Sequence, residues 1–433
     1  MNPNTQTIPH WTPPPDFQAV DSAIEGVQVY APRPEQAPAE TPITYKCPNC
    51  GATTHYDVAA GGVACEYCGF TAAVQAETVG RRAEEHEFTL TTVEQAERGW
   101  GVERLELHCD SCGANLLVEP GALTAACAFC ASNRVNVHPA PTDILRPRHL
   151  IPFKLQNEQA RSRAKEWLGR GWMHPAELSQ SAAVDKFRGL YLPFWTFDAE
   201  ISADWRAEVG YEHQERYYDH GDKTWKTRTR IDWRWESGQV HVAFDDLTVS
   251  ASARLSRRIL TQLYPFNLNE LVAYSPDFLA GWQAQAYEIN LNDGWEEGRR
   301  QMRERAKEAC YETIPSHHVR NFSLTADFAE ESWRYVLLPV YVAAYRFQDQ
   351  VYQVMVNGQT GTIAGQKPVA WWKIWLVVAL LFSPGLLMAL VSLPLMLLGG
   401  AGMFTLILAL ILLAVAGGIS FWLYRQAVES EAP

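Results

Sequence analysis

The sequence predicts a multidomain protein: two small zinc ribbons of four cysteines each, an α+β domain with a weak internal strand–helix–strand duplication, and a C-terminal two-helix transmembrane hairpin. Three observations lead there. Eight of the nine cysteines fall into two quartets of identical spacing, the stretch from Ile374 to Leu423 holds no charged residue, and the region between alternates strand-like and amphipathic helical runs.

Cys47, Cys50, Cys65 and Cys68 spell CxxC, a 14-residue gap and CxxC, and Cys109, Cys112, Cys127 and Cys130 repeat the pattern 62 residues later. Tetrahedral Zn2+ takes four thiolates, and a CxxC turn presents two of them from one knuckle. All eight cysteines are therefore expected metal ligands and two structural Zn2+ ions the expected cofactors, because a site closed by four thiolates leaves no position for substrate or water. Redox or disulfide pairs are the alternative, but neither CxxC sits in a thioredoxin-like βαβ pattern. Gly51, Gly69 and Gly113 follow their knuckles, where the turn calls for positive φ, while Ala131 stands at the fourth. Strand-like runs at 53–57, 63–64, 116–119 and 123–126 complete ribbons at 44–75 and 105–138. Modules this small draw much of their folding energy from the metal. Each ribbon is expected to stand or fall by itself, leaving the α+β domain its own core.

The uncharged C-terminal stretch would make a single helix about 75 Å long, against a hydrocarbon core of about 30 Å. Two spans, 373–397 and 402–424, joined at Gly399, Gly400, Ala401 and Gly402 and followed by a tail at 425–433, fit better. Pro384 and Pro394 are tolerable kinks in a helical pair, and Trp371, Trp372, Trp375, Trp422 and Tyr424 suit the membrane interface. Lys367, Lys373 and Arg425 flank an uncharged turn, so the positive-inside rule places both termini in the cytoplasm and the hairpin in the inner (cytoplasmic) membrane. The first forty residues lack the basic and apolar regions of a signal peptide, and free cysteines suit a reducing compartment.

Residues 1–43 are proline-rich and poor in bulky aliphatics, which predicts a disordered or extended tail. Residues 76–104 read as a helical linker, with a helix over 91–98 that stops at Gly99 and a Trp100 that packs between modules. The α+β domain spans 144–368. Its first unit is a strand at 150–155, a helix at 157–168 and an apolar strand at 191–198; its second is a strand at 283–289, a helix at 294–311 and a strand at 337–345. Between them, 225–236 alternates strictly, with Trp225, Ile231, Trp233 and Trp235 on one face and Lys226, Arg228, Arg230 and Arg234 on the other, the pattern of a half-buried strand. Its basic face suits an anion or headgroup, or an edge whose charges block aggregation. A hairpin of 352–356 with 362–364 turns at Asn357-Gly358, the preferred two-residue pair.

Together these residues resemble a family of bacterial membrane-anchored double zinc-ribbon proteins, often labelled primosomal protein N′ (replication factor Y)-like or TFIIB-type zinc ribbon. The similarity runs over roughly 44–425, through "YLPFWTFDA", "LLPVYVAAYRF", "YQVMVNGQTGTIAG" and "WWKIW". It implies the eight cysteine ligands and a place beside SPFH/band-7 or phage-shock-type membrane proteins, hence a scaffold role. It implies no catalytic residue.

A replication helicase would need a G-x-x-x-x-G-K-[ST] loop, and the segment from Gly361 to Lys367 is too short for one. Residues 44–138 hold six Lys or Arg against twelve Asp or Glu, a net charge of −6, which two four-thiolate zinc centres bring to about −10. Phosphate contact demands positive charge, so nucleic acid is an unfavoured partner. His213, His220, His317 and His318 with Asp245 or Asp246 are candidate metal ligands without a motif to join them. Asp198 is a candidate acid or base, and Cys310 lies in register with Trp295, Met302 and Ala306 as a core thiol. The expected function is a membrane-anchored cytoplasmic scaffold or adaptor, not an enzyme, that recruits a protein partner to the bilayer. A membrane-tethered nucleic-acid-binding protein and an enzyme on the α+β domain are the alternatives.

Overall fold

The protein is described from a computed structural model over residues 17–20, 29–32, 45–74, 77–82, 85–89, 96–120, 126–130, 132–180, 187–347, 350–398 and 401–431. Near the N-terminus β1 (Phe17–Val20) and β2 (Val29–Pro32) pair antiparallel, so the expected tail contains a short hairpin. Residues 1–43 otherwise lie outside the described residues, as do most of the helix expected at 91–98 and most of the strand expected at 123–126.

The first ribbon is a three-stranded antiparallel sheet of β3 (His55–Asp57), β4 (Gly62–Ala64) and β5 (Thr71–Ala73). A tight turn at Gly80–Arg82 and β6 (His86–Glu87) follow. The second ribbon is β7 (Leu105–Cys109) between β8 (Asn115–Val118) and β9 (Val135–Pro139).

The mixed α/β domain opens with β10 (His149–Leu150) and α1 (Asn157–Gly169), then runs into β11 (Arg188–Asp219) and β12 (Thr224–Ser250). After α2 (Arg257–Leu263), β13 (Val272–Ala273), β14 (Gln283–Ala284) and α3 (Leu291–Thr313) comes β15 (His318–Phe347), closed by β16 (Gln350–Asn357) and β17 (Ile363–Gly365). The expected strands at 191–198 and 337–345 are only the proximal parts of β11 and β15. At about 3.3 Å per residue, the 32 residues of β11 extend for about 100 Å of chain. β12, β11 and β15 lie side by side, all antiparallel, as a long blade.

Alternation decides which face of the blade is buried. Trp195, Phe197, Ala199, Ile201, Ala203, Trp205, Ala207 and Val209 all point to one face, as period two requires. There α3 seats itself with Trp295, Met302, Ala306 and Cys310 inward. Its glycines permit the close approach: a Cβ on Gly294 would meet the Trp195 ring at 2.6 Å, and one on Gly298 the Phe197 ring at 3.0 Å. The short strands pair crosswise, β10 parallel to β15 (Leu150 opposite Leu337) and β14 parallel to β11 (Leu190 opposite Gln283). They span two residues each, shorter than expected, because only that length lies beside the long strands.

Two expectations change in outline. The second ribbon does not stand apart from the 144–368 domain: Leu117 of β8 pairs with Ala284, placing β7–β9 in the domain's own sheet. Leu107, Leu116, Val118 and Phe129 share one core with Leu190, Leu192, Phe194, Ile259 and Val340. The strand at 225–236 is mostly exposed rather than half-buried: its aromatic row pairs with Glu208, Gly210 and Glu212 on the face of the blade away from α3, where Ile231 and Trp233 are only partly covered. A smaller change concerns the 357–362 turn. It is not the two-residue Asn-Gly type: Gly361 takes φ +79° and Asn357 is buried, its amide donating to the carbonyls of Leu263 and Pro265.

The chain ends in α4 (Trp371–Leu398) and α5 (Ala401–Glu431), packed as a pair and both long and apolar enough to cross a membrane. Gly399 and Gly400 of the expected turn lie outside the described residues. The expected tail at 425–433 is instead helical as far as Glu431. Its last turn docks on the connector, where Glu431 accepts from the Val369 N–H at 2.7 Å and the Trp371 indole at 3.3 Å. Lys367 is buried, its ammonium over the Trp167 ring and donating to the carbonyls of Trp167 and Arg170. Lys373 donates to the His174 carbonyl at 2.8 Å. The helix pair is thus locked to α1 and the loop after it.

Candidate metal centres

Both cysteine quartets come together. In each, the four sulfurs lie within 4.8 Å of one another. Cys47 and Cys68 are 3.4 Å apart and Cys50 and Cys65 3.6 Å; Cys109–Cys130 and Cys112–Cys127 are both 3.6 Å. Four sulfurs at about 2.3 Å from a tetrahedral Zn2+ would be about 3.8 Å apart, close to these separations, whereas a disulfide would need about 2.05 Å. The donor set fits zinc and leaves no open coordination position.

The backbone builds each knuckle. The N–H of Gly51 donates to the Cys47 carbonyl at 2.8 Å, that of Gly69 to Cys65 at 3.0 Å and that of Gly113 to Cys109 at 2.7 Å. All three glycines hold φ near +72°, as their position after the CxxC pairs predicted. Ala131 lies outside the described residues. The electrostatics also call for a cation. Burial pushes the Cys47 thiol up, but N–H groups of Asn49 and Cys50 and the neighbouring thiols pull it down to about 7. Cys109 is balanced the same way, also at about 7, by burial against the N–H groups of Cys112 and Ser111. Cys130 is pushed up to about 11, first by burial, and Cys127 is raised further by the same cause. Burial and the neighbouring thiols thus oppose the charging of Cys127 and Cys130, and a divalent ion among the sulfurs would offset that charge.

The two centres differ in support. The first ribbon sits on the domain through a few bonds: Tyr56 N–H to the Ala280 carbonyl at 2.9 Å, Trp282 Nε1 to the Tyr56 carbonyl at 3.2 Å, and Tyr45 Oη to Pro276 at 2.8 Å. Its Cys50 and Cys68 are at the surface, and Tyr67 between the knuckle cysteines is 83% exposed. The second ribbon is clamped. Arg254, held by Glu288 at 2.9 Å, donates to the carbonyls of Cys112 at 2.6 Å and Gly113 at 2.7 Å. Gln353 donates to the Phe129 carbonyl at 2.9 Å. No spacing rule points to Arg254, which lies over 140 residues from the knuckle it holds.

Asp198, Asp245 and Asp246 also approach within 4.8 Å of one another, a grouping the sequence did not indicate. It is an ion-pair network. Buried Arg334 pairs with Asp246 and reaches Glu85 at 3.3 Å and Asp198 at 3.9 Å, and Arg81 reaches Asp245 at 3.0 Å. The network ties the segment between the ribbons to the blade, alongside the pairing of β6 with β15. Burial pushes Asp198 up to about 6, with Glu85 adding to it, and Asp246 likewise up to about 6. The candidate histidines do not join this cluster: His213 is 3.2 Å from Asp232 and His318 2.6 Å from Glu212. Cys310 is a buried thiol on α3.

The site and fold define a class: a protein with two four-cysteine clusters able to hold metal ions, on a mixed α/β domain joined to an apolar helix pair. Among curated proteins, the chain is similar to the uncharacterized protein YdjG of Bacillus subtilis (strain 168), 27% identical over 344 residues that cover 77% of this chain and 92% of that protein. No family model matches the chain, and no solved structure matches it.

Proposed function

We propose that this protein is a membrane-held zinc-ribbon scaffold that recruits a protein partner to the cytoplasmic face of the inner membrane, with Zn2+ in both quartets and both chain ends cytoplasmic. The observation that carries the proposal is the exposed first knuckle. Tyr67 stands out at 83% exposure on a ribbon seated on the domain that holds the membrane helices. A closed four-thiolate centre supplies rigidity rather than chemistry, and an exposed aromatic on a rigid support is what a protein interface uses.

Charge favours a protein over nucleic acid. The balance of 44–138 is acidic, and the basic face of β12 is neutralised across the strand, Arg228 by Glu215 at 2.8 Å and Lys226 by Asp219 at 2.7 Å. Partners of the SPFH/band-7 or phage-shock type are what the family resemblance suggests. The crosswise pairing of β10 with β15 and β14 with β11 supports descent of the domain from two strand–helix–strand units.

The test is capture of the full chain from detergent-solubilised membranes, with and without Tyr67→Ala. A partner that copurifies with the unaltered chain and is lost with the variant is expected. Equal recovery by both, or salt-dependent DNA binding of micromolar strength, would overturn the reading. A reporter fused after Pro433 should read cytoplasm.

A further inference from the structure

The outer half of the β11–β12 hairpin is used by neither the metal centres nor the membrane helices. β15 begins at His318, opposite Gly210, so from Tyr211 and Asp232 outward the ribbon has two strands only. No residue from 221 to 236 is buried, and Trp225 and Trp235 are 63% and 52% exposed. A two-stranded ribbon is marginal in water without a third strand or a covering layer. Along β12, moreover, the edge away from β11 pairs with no strand among the described residues.

We propose that this edge pairs with the same edge of a second copy of the chain, antiparallel, about a two-fold axis through Trp233. The local sequence is self-complementary about that residue. Arg230 then faces Glu236 of the second copy, Asp232 faces Arg234, Ile231 faces Trp235 and Trp233 faces its own counterpart. Directly opposite residues share a face, so in these central pairs the charged groups are of opposite sign and the apolar side chains meet apolar ones. A slip of one residue sets the charged row against the aromatic row. A slip of two opposes Arg230 to Arg234, or Asp232 to Glu236. The charges that discourage other edge contacts thus select one register.

The occupant is a copy of this chain rather than an anionic surface. Residues 211–236 hold six Asp or Glu and six Lys or Arg, so the hairpin carries no net charge. The groups to be paired are at the surface, the side chains of Arg230 and Asp232 being 58% and 48% exposed, and pairing would exchange their present partners within the hairpin, Glu215 at 3.7 Å from Arg230 and His213 at 3.2 Å from Asp232, for those of the second copy. Pairing converts two exposed two-stranded ribbons into one four-stranded sheet, and helices able to cross a membrane would hold the copies at high effective concentration.

Light scattering on the full chain in detergent should give two copies per particle. Arg230→Glu, which opposes Glu236 of the second copy twice, should weaken association about tenfold or more, and Arg230→Glu with Glu236→Arg should restore it. A second variant reads the register without altering charge. Trp233→Cys in membranes should form a disulfide-linked pair of chains on mild oxidation, since opposite Cα atoms in such a ladder lie about 4.5–5.5 Å apart. Trp225→Cys, opposite His241 in this register, should not. A single-copy unaltered chain, association indifferent to Arg230→Glu, or equal linking by the two cysteine variants would each overturn the pairing.

Discussion

Arg254 and the cysteines it supports set the behaviour expected of single residues. Arg254 makes charge-assisted bonds to two knuckle carbonyls and to Glu288. Arg254→Ala should cost about 2–3 kcal/mol and hasten zinc loss to a chelator from the second centre alone, as metal release followed by a colorimetric indicator would reveal. Unaltered protein should hold two zinc ions by elemental analysis, and Cys65→Ser and Cys127→Ser one each. The two variants should part in stability. Cys65→Ser should loosen the first ribbon locally, whereas Cys127→Ser should lower the melting temperature of the whole domain, because Cys127 and Phe129 lie in the core shared with Leu190 and Phe194. Asp198 carries a pH dependence. Its carboxyl is raised to about 6, chiefly by burial, so the folded chain holds a proton that the unfolded chain releases near pH 4. Its contribution is complete below that pH and declines as pH rises through about 6. Asp198→Asn, which keeps an acceptor for the Asp246 N–H, should make the stability–pH curve less steep between about 4 and 6.5 in denaturant titrations, the remaining slope belonging to Asp246.

At the level of elements, α3 is placed by its glycines as much as by its apolar stripe. Helix propensity alone favours Gly294→Ala by about 1 kcal/mol. The new Cβ would lie 2.6 Å from the Trp195 ring, which is fully buried in the blade and packed against Tyr287, Trp333 and Tyr335. Overpacking should prevail, with a net loss of about 1–3 kcal/mol in denaturant midpoint analysis. The stripe itself was legible, because Trp295, Met302, Ala306 and Cys310 repeat at helical spacing. The lengths of β11 and β15 were not. Beyond Ile201 and before Trp333 they alternate apolar residues with polar or charged ones, and only α3 lying over one face makes that alternation a buried surface.

For the whole molecule, the connector decides how the helix pair relates to the rest. A chain ending at Gln366 loses the Lys367 ammonium from the carbonyls of Trp167 and Arg170 as well as both apolar helices. It should remain in the supernatant after high-speed centrifugation, while the full chain sediments with membranes. Limited proteolysis should cut it faster near His174 than it cuts the full chain, because Lys373 no longer holds that loop.

Local chemistry alone determined the two cysteine clusters and the apolar pair. A CxxC knuckle forms from four consecutive residues and its glycine, and a long uncharged run has few soluble solutions, so both could be read along the chain. The helix tail past Arg425 was missed because Glu431 is ordered by Val369 and Trp371, some sixty positions away. Only tertiary structure could decide that the second ribbon belongs to the main sheet, that Arg254 braces it, that Arg334 gathers Glu85, Asp198 and Asp246, and that 225–236 stands free. Each of these rests on contacts between segments distant in sequence, which spacing and periodicity do not encode. Trp225 and Trp235 stand in solvent because they share the face of the blade away from α3, with Tyr218 and Glu208.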